Sequence, residues 1–503
     1  MASLKNLAGQ TIWYGLSNIA AKLLNVLLTP LLTYVLHTPK GQADFGDFSI
    51  LYAAISFANV VYTYGMETAF FRFANLPGTD REKLYQTSFG SLIISTIGLS
   101  TLLIYFRDGL AAFAGFSGHS EYIVLAVMII GTDTLAAIPF AKLRQDGRPK
   151  KYAFTRVAGI VVNIILTTWF IALSPDWVAA HPESSYAIWY AQYTNPALIM
   201  LAGFGGSITT FLFLFQEWGK FRFQFDAALW RKIIMYSAPF IIIGLGGMIN
   251  ETLDRIMLRK LFTGDAESAK IAVGIYGANY RISIFITLFI QAFRMGAEPF
   301  FFKESNDKNA PKTYAKVMKW FVLTLCFAFL FTALFLDLWK YMVGREYRTG
   351  LGVVPILLYA NLFLGVYYNL SVWYKISAQL KWGVIITLIG AAITLIINFA
   401  FVPTYGMWAC AWATCICYAS MMLLSYFTGQ HFFPVPYATK KLLAYLGAMT
   451  FLFIAHQGVD QLTTSIPLRV AAGAVLMLAF VRLVWVMERK ELRAFPVIGK
   501  YVG

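Results

Sequence analysis

Charged side chains stand inside long apolar runs of this chain at Lys22, Asp133, Arg156, Glu251, Asp254, Arg255, Arg281 and Arg294, and at the ends of two such runs at Glu67 and Glu298. An ion in apolar surroundings is costly, so each needs a partner or a wet cavity and is a candidate for function. Asn18, Lys22 and Asn25 follow an i, i+4, i+7 spacing, which makes one polar stripe on an otherwise apolar helix and suits a water-filled cavity. Arg281 and Arg294 share one apolar run, about 20 Å apart at 1.5 Å per residue. That is too far to grip one phosphate together, although the two could meet an anionic head group at successive stages of a passage. Arg156 is near enough to a helix end to snorkel. Asp254 and Arg255 read equally as a local ion pair and as substrate contacts.

The elements that must position these groups are membrane helices. Hydrophobic residues make up 58% of the 503 and charged residues only 13%, too apolar a balance for a soluble chain of this length. Apolar stretches of helix-spanning length recur throughout, without the alternation of a transmembrane barrel. The expected fold class is an all-α polytopic membrane protein with about fourteen transmembrane helices. The first run follows a lysine and lacks a small-residue cleavage site, so it is expected to be a retained span. Basic loops such as "KLRQDGRPKK" (Lys142 to Lys151), "KFRFQFDAALWRK" (Lys220 to Lys232) and "KESNDKNAPKTYAKVMK" (Lys303 to Lys319) fall on one side, which predicts a cytoplasmic location for them and for both termini. The net charge of +16 then reflects topology and attraction to anionic membrane lipid, with no nucleic-acid partner needed.

An internal duplication orders the spans. "YGMETAFFRF" (Tyr64 to Phe73) has a later counterpart in "MGAEPFFFKE" (Met295 to Glu304). One offset pairs Gly65 with Gly296, Glu67 with Glu298, Phe70 with Phe301, Arg72 with Lys303, and upstream Phe45-Gly46 with Tyr276-Gly277. An even number of spans between the copies gives them one orientation, as in transporters whose halves are related by an axis along the membrane normal. Residues 1–216 and 217–430 are therefore expected to form two six-helix lobes in parallel pseudo-twofold arrangement, and 431–503 two further helices and a cytoplasmic tail. Glu67 and Glu298 are expected to brace neighbouring helices near an inner gate, with Arg72 and Lys303 at the head-group boundary.

No phosphate-binding loop, nucleophile constellation or extramembrane pair of carboxylates occurs, and the loops are too short for a soluble catalytic domain, so no enzymatic activity or cofactor is expected. The five histidines lack ligand spacing, which gives no metal site. Cys326, Cys410, Cys415 and Cys417 fall in apolar runs and imply no disulfide framework.

The chain resembles the multidrug/oligosaccharidyl-lipid/polysaccharide exporter superfamily, and within it the polysaccharide-biosynthesis (Wzx-type) flippases of bacteria. The resemblance rests on "GQTIWYGLSNIAAKLLNVLLTPLLTYVL" (Gly9 to Leu36), "DFGDFSILYA" (Asp44 to Ala53), "YGMETAFFRFA", "DRIMLRKLF" (Asp254 to Phe262), "VGIYGANYRIS" (Val273 to Ser283) and "MGAEPFFFKE". It implies alternating access in the bacterial inner membrane, moving a polyprenyl-diphosphate-linked oligosaccharide to the periplasmic leaflet. It also implies a cationic cavity for the diphosphate, carried over to Lys22, Arg255, Arg281 and Arg294, where arginine offers a bidentate fork and lysine a point charge. A coupling cation, H+ or Na+, and glycan polymerase or export machinery are the further partners implied. Asp133 is the candidate for the coupling ion, and reads equally as the partner of Lys22 or another buried base. Two other activities on this fold stay open, cation-coupled multidrug export and flipping of a peptidoglycan lipid precursor. A membrane enzyme of glycan assembly is the reading from another class.

Overall fold

The computed structural model describes residues 19–492 except 21, 77, 220, 305, 306, 308 and 378, with backbone only at 295–300, 302–304, 490 and 492. Among the described residues there is no strand. With no water in a bilayer core to pair exposed backbone groups, an apolar chain satisfies them within helices, and among the described residues thirteen helices are long and apolar enough to cross a membrane. A shorter apolar helix, α1 (Lys22–Val35), precedes them.

The other helices used below are α2 (Pro39–Thr63), α3 (Met66–Ala74), α4 (Arg81–Tyr105), α5 (Glu121–Gln145), α6 (Pro149–Thr167) and α7 (Asn195–Phe213). After them come α8 (Ala227–Ser237), α9 (Pro239–Leu261), α10 (Ala266–Tyr280) and α11 (Ile284–Glu304). The last are α12 (Ala310–Ala333), α13 (Val353–Leu370), α14 (Leu380–Tyr405), α15 (Met407–Phe432), α16 (Thr439–Leu462) and α17 (Ile466–Met487).

Three apolar runs that read as continuous helices are interrupted. The second breaks at Tyr64 and Gly65, whose φ angles of 33° and 70° are left-handed, so α2 stops there and α3 begins anew at Met66. Glycine is needed there twice over, because a Cβ on Gly65 would also lie 2.7 Å from the Cβ of Phe240. The seventh run breaks between α8 and α9 at Pro239, which occupies the first turn of α9. The eighth tightens into a 3-10 turn at Arg281–Ser283 between α10 and α11.

The described residues gather into two compact units that interleave along the sequence. The first takes the described residues up to 281, with 344–350 and 381–417, and the second takes those of 282–343, 351–380 and from 418 onward. In the first unit α2 packs against α5, α7, α9 and α10. A core of Met66, Phe70, Tyr85, Phe89, Ile138 and Ile233 fills the space around α3. The turn Arg345–Gly350 ties α1 to α10, since Tyr347 donates to the Leu36 carbonyl at 2.7 Å and accepts from Asn279 at 2.7 Å.

In the second unit α12 packs on α11, α13 and α16. Phe301, Tyr314, Val372 and Val435 form a core there. Only 17% of the apolar windows of α16 and α17 is buried, so their remaining apolar surface is left for lipid. Duplicated positions share a role: Phe70 and Phe301 are 3% and 1% exposed, and Phe45 and Tyr276 are both fully buried.

Candidate functional site

Basic and acidic side chains meet inside the first unit. Arg255 on α9 lies 3.8 Å from the Asp254 carboxylate, donates to the Glu251 carbonyl at 3.2 Å, and sits 4.4 Å over the Tyr280 ring. Asp254 is more firmly engaged elsewhere, because the Tyr276 hydroxyl donates to it at 2.6 Å. The 3-10 turn after α10 carries Arg281, whose guanidinium donates to the Thr29 hydroxyl at 3.1 Å and faces the rings of Phe45 and Phe48 at 5.5 and 5.6 Å. Its electrostatic neighbours are Arg255 and Tyr52. Among the described residues no carboxylate forms an ion pair with Arg281. Arg255 has the carboxylates of Asp254 and Glu251 as electrostatic neighbours, whereas Arg281 has Arg255 and no carboxylate, so the surplus of positive charge that an oxyanion would relieve is centred on Arg281.

The acidic end lies on other helices of the same unit. Asp133 on α5 has the Ser207 hydroxyl of α7 within reach, and its charged neighbour is Arg156 on α6. Arg156 in turn faces the Phe140 ring at 6.0 Å. Tyr52 on α2 lies within electrostatic reach of both Asp133 and Arg281. A carboxylate with a hydroxyl donor and one nearby cation has lone pairs left for a proton or a small cation.

Arg294 belongs to the second unit, 4.2 Å over the Tyr368 ring. The 3-10 turn means that it does not share one uninterrupted α-helix with Arg281. On α1, Lys22 is half-buried and engaged in a polar or electrostatic contact, while Asn25 is exposed. Asn18 lies outside the described residues, as do the side chains of Glu298 and Lys303. Glu67 forms an ion pair with Arg144 on α5, and Arg72 stacks 4.2 Å over Tyr236 on α8.

Several buried carboxylates and their bases escaped the reading of the sequence, among them Glu217, held by Arg148 at 2.8 Å and Lys151 at 2.7 Å. Asp47 on α2 holds Arg259 at 2.7 Å and Lys270 at 2.8 Å. Lys319 on α12 holds Glu488 at 2.5 Å and Glu491 at 2.7 Å, both beyond the end of α17. Each member stands near the end of an apolar run, where a charge looks solvated. Asp47 within "DFGDFSILYA" was the available signal, as an acid in the body of a helical repeat.

The fold and these clusters define a multi-pass membrane protein with a polar, cation-rich interior among its helices. A family model described as "Polysaccharide biosynthesis protein" matches residues 7–305, more than half of the chain, and the chain belongs to that family. No curated protein matches it. Among solved structures, "Lipid II flippase MurJ, inward closed conformation" is 15% identical with a TM-score of 0.70, over 94% of this chain and 99% of that one. An inward-facing multidrug resistance MATE family transporter of the MOP superfamily is 14% identical with a TM-score of 0.58, over 87% and 96%. A Vibrio cholerae MATE transporter is 12% identical with a TM-score of 0.53, over 85% and 96%. The chain therefore shares the fold of flippases and transporters of that superfamily.

Proposed function

We propose that this protein flips a polyprenyl-diphosphate-linked oligosaccharide from the cytoplasmic to the periplasmic leaflet of a bacterial inner membrane, for surface polysaccharide assembly. The observation that carries the reading is Arg281, an intramembrane guanidinium with Arg255 nearby and no carboxylate pairing with it among the described residues. A diphosphate fits that surplus charge, and its oxygens match the guanidinium fork. Family membership supports the glycan class.

In this reading Arg255 and Arg281 receive the diphosphate. Lys22 and Arg294 meet it at another stage, and residues 1–216 and 217–430 act as lobes that alternate in access. Both termini are cytoplasmic. Asp133 takes up the coupling ion, H+ or Na+. Asp133 is also what favours a second reading, cation-coupled drug export, because its hydroxyl donor and single nearby base leave room for a cation.

Reconstitution in liposomes with a fluorescent polyprenyl-diphosphate oligosaccharide separates the two. Flipping that wild type performs and Arg281→Ala loses is the expected result. Movement of cationic drugs with the labelled lipid left in place would overturn it.

A further inference from the structure

Helix α10 is joined to α2 by a seam of backbone contact and a buried ionic cluster. A Cβ on Gly46 would lie 2.0 Å from the Lys270 carbonyl oxygen, and one on Gly274 would lie 2.5 Å from that of Gln42. The two backbones touch there because neither helix has a side chain in the way. Beside the seam Asp47, its side chain 6% exposed, accepts from Arg259 at 2.7 Å and Lys270 at 2.8 Å. Arg259 also donates to the Gly115 carbonyl at 2.7 Å and covers the Phe116 ring at 4.3 Å. One carboxylate thus gathers α2, the end of α9, the start of α10 and the loop before α5.

Two further observations give this cluster a mechanical meaning. The duplicated pairs Phe45-Gly46 and Tyr276-Gly277 place α2 and α10 at equivalent positions of the two repeats. At its far end α10 runs into the 3-10 turn Arg281–Ser283, where the chain passes from the first compact unit to the second. A change of helix type at a unit boundary is where a rigid segment can bend.

We propose that α10 is a gate helix: Asp47 and Lys270 latch it to α2, with Arg259 of α9 on the same carboxylate, and it swings off the glycine seam by bending at Arg281–Ser283 to open the path at the Asp47 end. This rests on the alternating-access reading. Burying an ion pair gains and loses comparable amounts, because desolvation opposes attraction, so a latch that becomes hydrated on opening is close to balanced and reversible. Arg281 stands at the bend, so an anion bound there acts on the segment that moves.

The test uses the full-length protein in liposomes and first a readout that needs no substrate. Ser49 is buried against Gly277, and the native cysteines are buried as well. In a Ser49→Cys background, Asp47→Asn and Lys270→Met are expected to raise the rate of labelling by a membrane-impermeant maleimide several-fold. Asp47→Glu, which keeps the charge, is expected to stay near the parent. Unchanged labelling in both neutralised variants would overturn the proposal, whatever the protein transports.

A second arm closes the seam. A Cβ on Gly277 would lie 3.4 Å from the Ser49 Cβ, close to disulfide range. The oxidised Ser49→Cys/Gly277→Cys variant is expected to stop flipping and to recover it on reduction. Full-rate flipping by the cross-linked protein would refute the gate.

Discussion

The Lys319 ammonium lies 2.5 Å from the Glu488 carboxylate inside the second unit, with the two side chains 6% and 2% exposed. Lys441 at 3.0 Å and the Tyr445 hydroxyl contact the same carboxylate, so α16 and the end of α17 are fastened to α12 through one acid. Removing one partner of a buried pair costs about 3–5 kcal/mol when it strands the other charge. Without Glu488, Lys319 keeps only the more exposed Glu491 at 2.7 Å, so the loss falls toward or below the lower end of that range. Glu488→Ala is therefore expected to lower the melting temperature of the detergent-solubilised protein clearly. A double Lys319→Met/Glu488→Leu variant is expected to recover part of the loss, and equal melting of the single variant and wild type would contradict this.

Acid should weaken the same fastening. Burial alone would raise the Glu488 carboxyl, but hydrogen bonds from Lys319, Tyr445 and Lys441 outweigh it and hold the group below its ordinary value of 4.5. A carboxyl lowered on folding contributes stability that is complete above its unfolded value and lost as pH falls through the folded one. Melting curves of wild type should thus show an acid decline beginning below about pH 4.5 that is smaller in Glu488→Gln.

Arg281 should matter through geometry as well as charge. A charge-assisted hydrogen bond contributes about 1.5–3 kcal/mol, so Arg281→Ala should reduce flipping or affinity for the diphosphate lipid on the order of 10- to 100-fold. Arg281→Lys should recover only part of this, because an ammonium lacks the fork. Equal rates for all three proteins in the liposome assay would remove Arg281 from the site.

Asp133 makes a separable prediction. Asp133→Asn should keep binding of the lipid substrate and lose the response of flipping to an imposed pH or Na+ gradient. A gradient response identical to wild type would leave Asp133 as a structural partner of Ser207 and Arg156.

The break at Tyr64 and Gly65 should be intolerant of side chains. Gly65→Ala combines a φ of 70° with a Cβ 2.7 Å from that of Phe240, a strain of order 1–3 kcal/mol. The neighbouring ion pair of Glu67 with Arg144 is partly exposed, and such pairs contribute only about 0–1 kcal/mol. Glu67→Gln should accordingly melt close to wild type while Gly65→Ala melts lower. The reverse order would show that the ion pair carries the bend.

By itself the sequence determined that this is an all-α chain of membrane-spanning helices, because an apolar excess repeated at bilayer length admits few other arrangements. Phe45, Phe70, Tyr276 and Phe301, which match at one offset in the sequence, all prove to be buried core residues. Breaks within runs were not legible: Tyr64 to Gly65 and Arg281 to Ser283 have ordinary apolar neighbours, and local hydropathy does not report backbone dihedrals. The candidate site was legible as a set of costly charges but not as a grouping. Only tertiary structure decided that Arg255 and Arg281 share a neighbourhood, that Asp254 is taken by Tyr276, and that Asp47 and Glu488 are buried rather than solvated. The physical reason is that a charge's cost and its partner depend on which helices surround it. That is fixed by contacts such as Gly46 against Lys270, more than two hundred positions apart in the chain.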